Sequence, residues 1–97
     1  MNNQTGSKEE EAKKRLLEAY EGSLRGTIEV LEYWVKEIKE NLEDLPENLM
    51  KGRKKEVFVA SNKIKKSCYI ILATLEDLKR VFYEYYDLRK EVIGERV

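Results

Sequence analysis

The sequence predicts an all-α fold, a long antiparallel helical hairpin, from two heptad series of apolar residues separated by a turn that contains proline and glycine. The first series is Leu17, Leu24, Leu31, Ile38 and Leu45, and the second is Val57, Ile64, Ile71, Leu78, Tyr85 and Val92. Heptad spacing keeps one stripe of a helix facing a partner helix. Folding the chain at Lys51 sets Leu45 opposite Val57 and Leu17 opposite Tyr85.

The first helix is predicted over residues 7–45, after a frayed polar tail of residues 1–6. Ser7 begins a Ser-Lys-Glu-Glu run that fits a capping box at a helix start. Two glycines, Gly22 and Gly26, each cost roughly 1 kcal/mol against alanine in a helix interior. A continuous helix is favoured because the heptad phase does not slip there. The alternative is a break at these glycines, which makes a three-helix bundle.

The turn is predicted over residues 46–52, because Pro46 disfavours helical geometry at the residue before it. A short turn of helix within this segment is compatible with the sequence. The second helix is predicted over residues 53–93. Gly94 suits the position just after a helix, where a left-handed backbone is common.

The predicted core combines two columns of residues on each helix, where a column is a set of residues seven apart. Its members are Leu17, Leu24, Ile28, Leu31, Val35, Ile38, Leu42, Leu45, Val57, Ile64, Cys68, Ile71, Leu75, Leu78, Phe82 and Tyr85. Cys68 is expected to act as a buried small apolar residue, since a reactive thiol needs exposure and a nearby base.

The apolar stripes are wider than one facing helix can cover, which predicts a homodimer with a four-helix bundle. The residues predicted to form a dimer or partner surface are Trp34, Leu72, Val81, Tyr83, Tyr86 and Leu88. Tyrosines at such a boundary are common at protein interfaces.

Composition argues against several function classes. The chain has 97 residues, 19 basic and 19 acidic, and it contains no histidine and one cysteine. These residues predict no cofactor, no metal site and no catalytic site, because the usual nucleophile–base pairs and metal-ligand sets are missing. No membrane-spanning segment or signal peptide is recognisable, which predicts an intracellular, cytoplasmic protein. Enrichment in Lys and Glu is also typical of thermophilic proteins.

A basic tip lies at the turn and the start of the second helix. Its position needs an explanation, because cations at a helix N-terminus interact unfavourably with the helix dipole. Its members are Lys51, Arg53, Lys54, Lys55, Lys63, Lys65 and Lys66. Ion pairs with the carboxylates that end the first helix, Glu37 to Glu47, are the favoured explanation. Phosphate binding to a nucleic acid is the alternative.

The sequence therefore predicts a non-catalytic adaptor, scaffold or accessory subunit that acts through helix faces, on itself or on another protein. A small nucleic-acid-binding protein that uses the basic tip is the alternative. The general pattern resembles small helical-hairpin dimers among archaeal viral and plasmid adaptor proteins. That resemblance concerns the fold alone and implies no residue roles.

Overall fold

Three α-helices account for most of the chain in the computed structural model, which describes the backbone of residues 2–94 and the side chains of residues 8–94. They are α1 (Asn2–Glu43), α2 (Leu45–Met50) and α3 (Lys54–Ile93). No strand occurs within residues 2–94. The predicted all-α helical hairpin is confirmed, with α1 and α3 as its two arms and α2 within the connection.

The start of α1 lies upstream of the predicted one. The helix begins at Asn2, so residues 2–6 are helical and Ser7 is an interior residue instead of a cap. Met1 lies outside the described residues. No proline interrupts this segment, and polar residues in a helix interior cost less than about 1 kcal/mol each relative to alanine. A capping residue favours a helix start but does not prevent the helix from continuing through it.

The two glycines do not break α1. The helix is continuous from Asn2 to Glu43 through Gly22 and Gly26, so the three-helix alternative is wrong. Neither glycine has a positive φ. A Cβ atom added at either position would meet no heavy atom within 4 Å. Within this chain, therefore, no contact requires glycine at these two sites.

Pro46 ends α1 two residues before the predicted end. Glu43 is its last residue, Asp44 follows as a bend, and Pro46 sits in the first turn of α2. Inside a continuous helix, the proline ring would clash with the carbonyl group four residues earlier, whereas the first turn of a new helix tolerates it. The short helix that the sequence allowed in the turn is α2.

Gly52 ends α2 in a Schellman motif. Its φ is +63°, its N–H donates to the Leu49 carbonyl at 3.2 Å, and the Arg53 N–H donates to the Asn48 carbonyl at 2.9 Å. These are the two backbone hydrogen bonds of that motif. At the other end of α3, Gly94 has a φ of +65°, as expected from its position. Its N–H donates to the Lys90 carbonyl at 3.0 Å.

The chain divides into two compact units. The central unit is Ile28–Glu76, and the terminal unit combines residues 1–27 with residues 77–97. In the terminal unit, the most buried apolar side chains form one cluster between α1 and α3. It comprises Leu17, Tyr85 and Leu88, each 9% exposed, with Tyr20, Leu24 and Val92 packed against them.

Side-chain contacts in the terminal unit define the register of α1 against α3. Lys13 Nζ lies 3.3 Å from Glu91 Oε1. Tyr20 Oη donates a hydrogen bond to Glu84 Oε2 at 3.2 Å. In both pairs, the α3 residue lies closer to the C-terminus than the residue that the predicted heptad register sets opposite its α1 partner.

The predicted pairing of Leu17 with Tyr85 is therefore shifted in this unit. The observed contacts put Leu17 about level with Asp87, two residues or about half a helical turn farther along α3, although Tyr85 remains in the same cluster. Packed helices interdigitate, so a residue of one helix fits between neighbouring columns of the other and does not meet its heptad counterpart directly. Heptad spacing alone does not distinguish these two registers.

The second column of the interhelical seam also differs from the prediction. On α1 and α2 it is the half-buried set Tyr20, Thr27, Trp34, Asn41 and Asn48, and on α3 it is Ala60, Ser67, Thr74, Val81 and Leu88. Ser67, at 2% exposure, is the most buried residue described. Its hydroxyl donates to the Lys63 carbonyl of its own helix at 3.0 Å. The small residues of the α3 column permit close approach of α1.

Several predicted core residues are consequently exposed in the single chain. They are Ile28, Val35 and Leu42 on α1, with Cys68, Leu75 and Phe82 on α3. Cys68 is exposed in the single chain, so its predicted burial depends on the predicted dimer. Conversely, three predicted surface residues, Trp34, Val81 and Leu88, pack at least partly into the seam of their own chain.

Replacing Gly22 or Gly26 by alanine should raise the free energy of unfolding by about 0.5–1 kcal/mol each, because glycine costs that much in a helix interior. The added methyl groups meet open space. Gly52→Ala is the matched control. Its positive φ should make the same change destabilising by about 1–2 kcal/mol. Urea unfolding measures all three, and destabilisation by both α1 variants would contradict the prediction.

Candidate interaction surface

One side of the hairpin in the central unit carries a row of exposed apolar residues, which we call the apolar flank. It consists of Ile28, Val35 and Leu42 on α1 with Cys68 and Leu75 on α3. The relative exposure of the four aliphatic side chains is 48%, 42%, 46% and 43%, in that order. Each of these residues lies next to the seam but outside it.

Helical geometry places the two halves of the apolar flank on the same side. In each helix these residues follow a seam residue by four positions, and in an antiparallel pair the corresponding columns of the two helices border the same edge of the seam. The terminal unit shows this directly with two members of the same columns. Glu21 and Arg89 both contact one atom, the hydroxyl of Tyr85.

The opposite side of the same seam is mainly charged, and we call it the charged flank. It consists of Val30, Glu37 and Asp44 from the first arm with Glu56, Lys63 and Ile70 from α3. Charged residues occupy four of these six positions. The two sides of the seam are therefore chemically different, and the apolar flank is the candidate interaction surface.

The apolar character continues outward on α3. Phe58 is 67% exposed and Leu72 is 60% exposed, and both lie in the column next to Cys68 and Leu75. Leu72 belongs to the predicted partner surface. On α1, the corresponding outer positions are charged, for example Glu32 and Lys39, so α3 contributes the wider part of this surface.

A polar network marks the terminal unit where the same two columns stop being apolar. Tyr85 Oη donates to Glu21 Oε2 at 3.2 Å. Arg89 Nη1 donates to Tyr85 Oη at 3.4 Å. The two opposite charges thus meet through one phenol.

Aromatic residues surround that network on α3. Phe82 and Tyr86 stack with ring centroids 6.2 Å apart, and Lys90 Nζ lies 5.2 Å from the centre of the Tyr86 ring. Phe82 is 46% exposed and Tyr83 is 57% exposed, so part of this aromatic group faces solvent. An aromatic group with exposed edges is typical of a contact surface.

The basic tip forms fewer ion pairs than the sequence analysis favoured. Lys51 Nζ lies 2.6 Å from Glu47 Oε1, a pair four residues apart. Arg53 donates to the Asn48 side chain at 3.2 Å, and Lys65 Nζ lies 5.9 Å from the centre of the Tyr69 ring. Among the described residues, none of the ion pairs expected between α1 and α3 at this tip is formed.

The remaining lysines of the tip have no carboxylate within 4.0 Å among the described residues; these are Lys54, Lys55, Lys63 and Lys66. They do not share one face of α3. Lys54 follows the column of the apolar flank, Lys63 lies on the charged flank, and Lys66 lies on the outer surface. The tip is therefore a ring of positive charge around the start of α3.

No group of three or more Cys, Asp or Glu side chains is arranged to hold a metal ion within the described part of the chain. None of its helices is long and apolar enough to cross a lipid bilayer.

Comparison with known proteins gives no match: no family model, no curated protein and no solved structure is significantly similar to this chain.

Titration of Tyr20 should test the packing of the terminal unit. Partial burial, and then the hydrogen bond and negative charge of Glu84, raise the pKa of Tyr20 above its ordinary value of 10.0. Because the unfolded chain releases this proton more easily, stability should fall as pH rises past 10. Glu84→Gln should lower the pKa of Tyr20 in part, with burial unchanged.

The measurement is the tyrosinate absorbance titration, taken as the difference between each protein and the same protein carrying Tyr20→Phe. An unchanged Tyr20 titration in Glu84→Gln would show that the hydrogen bond to Glu84 is absent in solution.

Proposed function

We propose that this chain is a non-catalytic interaction module, an adaptor, scaffold or accessory subunit that binds through its apolar flank. Its first partner is a second copy of itself, which makes a four-helix bundle. The observation that supports this proposal is the difference between the two sides of one seam. One side exposes Val35 and Leu75, and the other exposes Asp44 and Lys63.

Energetics favours a partner of the same helical kind. Covering apolar surface contributes about 25 cal/mol for each Å² removed from water. The apolar flank runs along two parallel helix axes, so a surface that covers it must also be long and helical. A second copy presents such a surface, and symmetric dimers are the commonest soluble oligomers. The outer faces of the bundle then remain available to another protein.

A non-catalytic role is consistent with the side chains present. The chain has no histidine to act as a general base near neutral pH. Its thiol, Cys68, is exposed on the apolar flank. We therefore assign the role of this chain to shape and burial, with no reacting group.

Nucleic-acid binding is the second candidate function. It is favoured by the lysines at the start of α3 that lack a carboxylate within 4.0 Å. Their spread around the helix counts against it, because a phosphate backbone contacts one face of a helix at a time. The formal net charge of zero also provides little long-range attraction.

Val35→Lys should convert the dimer to a monomer. A lysine buried without a partner costs more than about 2 kcal/mol, so the dissociation constant should rise by at least about 30-fold. Val30→Lys is the matched control, because Val30 is 44% exposed, Val35 is 42% exposed, and they lie on opposite flanks of α1. Light scattering coupled to size exclusion gives the mass of each protein.

Cys68 gives an independent readout of the same prediction. Its thiol is exposed in the single chain, so it should be protected from an alkylating reagent in the dimer and accessible in Val35→Lys. Equal masses and equal thiol reactivity for the Val35 and Val30 variants would reject the apolar flank as the interface.

Reversing Lys54, Lys55 and Lys65 to glutamate distinguishes the second candidate. With protein interaction as the function, the unmodified protein should bind duplex DNA or RNA weakly or not at all at physiological salt. Micromolar binding that falls by about one unit of log K per log salt for each phosphate contacted, and that the triple reversal abolishes, would establish the nucleic-acid function instead. Fluorescence anisotropy with labelled duplexes measures it.

A further inference from the structure

We infer that two copies associate with their turns at the same end of the bundle, so that α1 of each copy lies beside α3 of the other. This inference rests on the proposed self-association through the apolar flank and adds the orientation of the partner. Its basis is the separation of charge between the two arms of the central unit, together with the position of the apolar flank on both arms.

Charge in the central unit and its tip is divided between the two arms. Residues 28–50 carry seven carboxylates and two lysines, whereas residues 51–76 carry seven basic residues and two carboxylates. Each arm thus has an excess of five charges, negative on the first and positive on the second. The apolar flank lies between these arms and uses residues from both of them.

Two copies of a hairpin can stack by the same face in two symmetric ways. If the two-fold axis runs along the helices, each α1 lies beside the α3 of the other copy, and the turns are at the same end. If the axis runs across the helices, parallel to the stacked faces, each helix lies over its own copy, and the turns are at opposite ends. Only the first arrangement places the acidic arm beside the basic arm across the interface.

The ion pairs within one chain do not use up this complementarity. Lys54 and Lys66 have no carboxylate within 4.0 Å among the described residues. Lys54 lies in the column of the apolar flank, where a second copy would be adjacent. Charges about one Debye length apart, 8–10 Å at ordinary salt, still attract, so the arrangement does not require direct pairs. In the arrangement with the turns at opposite ends, arms of like charge face each other, which is unfavourable.

Distance measurement between spin labels tests the orientation. A nitroxide is attached at Met50→Cys in a Cys68→Ala background. Met50 lies at the tip, and its side chain is 88% exposed. With the turns together, the two labels should be about 20–25 Å apart, from helix spacings of 8–10 Å and the length of the labels. With the turns at opposite ends, the rise of 1.5 Å per residue over residues 28–50 separates them by about 35–40 Å.

A label at Lys39→Cys, about halfway along the same segment, is the matched control. It should give a short distance in both arrangements and therefore reports association without orientation. Diluting labelled protein with unlabelled protein should reduce the modulation depth at both sites, since the distances are intermolecular. The dissociation constant should also rise as salt shortens the Debye length.

The outcomes separate the orientation from the proposed function. Short distances at both sites support the orientation. A short distance at residue 39 with a long distance at residue 50 overturns the orientation and leaves self-association intact. A monomer by light scattering for the native chain overturns both, and it means that the apolar flank is covered by a different protein or remains open.

Discussion

Each long helix of this protein has a wider apolar arc than one facing helix can cover, and most of the structure depends on that excess. Most of the stability of a helix in a protein comes from packing of its apolar face, so α1 and α3 stabilise each other. Their contact buries two columns on each arm and leaves a third, represented by Val35 and Leu75, at 42% and 43% exposure. Pairing of α1 with α3 thus stabilises both helices and leaves an apolar surface exposed beside their contact.

Side-chain size accounts for which columns enter the seam. The α3 column that contains Ala60, Ser67 and Thr74 is nearly free of large residues, so α1 can approach closely along it. Ser67 tolerates 2% exposure because its hydroxyl is satisfied by its own helix. The most hydrophobic columns, which contain Leu31 and Ile71, lie in the seam, whereas the apolar residues four positions after them, such as Val35 and Leu75, stay outside it. The interaction surface is a consequence of this packing choice.

Electrostatics acts on a longer scale than packing in this molecule. The described ion pairs are few and exposed, such as Lys13 with Glu91 and Lys51 with Glu47, and exposed pairs contribute only about 0–1 kcal/mol each. The opposite charges of the two arms in the central unit instead favour their antiparallel pairing as a whole. In the proposed dimer, the same separation of charge favours the arrangement in which unlike arms lie side by side.

The sequence by itself determined the helical hairpin, the turn at Pro46 and Gly52, and the end of α3 at Gly94, because heptad periodicity and backbone restrictions are local properties. Tertiary structure decided the register of Leu17 against α3 and the exposure of Cys68. The register depends on how the side chains of the two arms interdigitate, and the exposure of Cys68 depends on whether its own column or the adjacent column of Ser67 faces the other arm. These two columns are one residue apart, about 100° on a helix, and both keep heptad spacing, so only the fit between facing side chains distinguishes them.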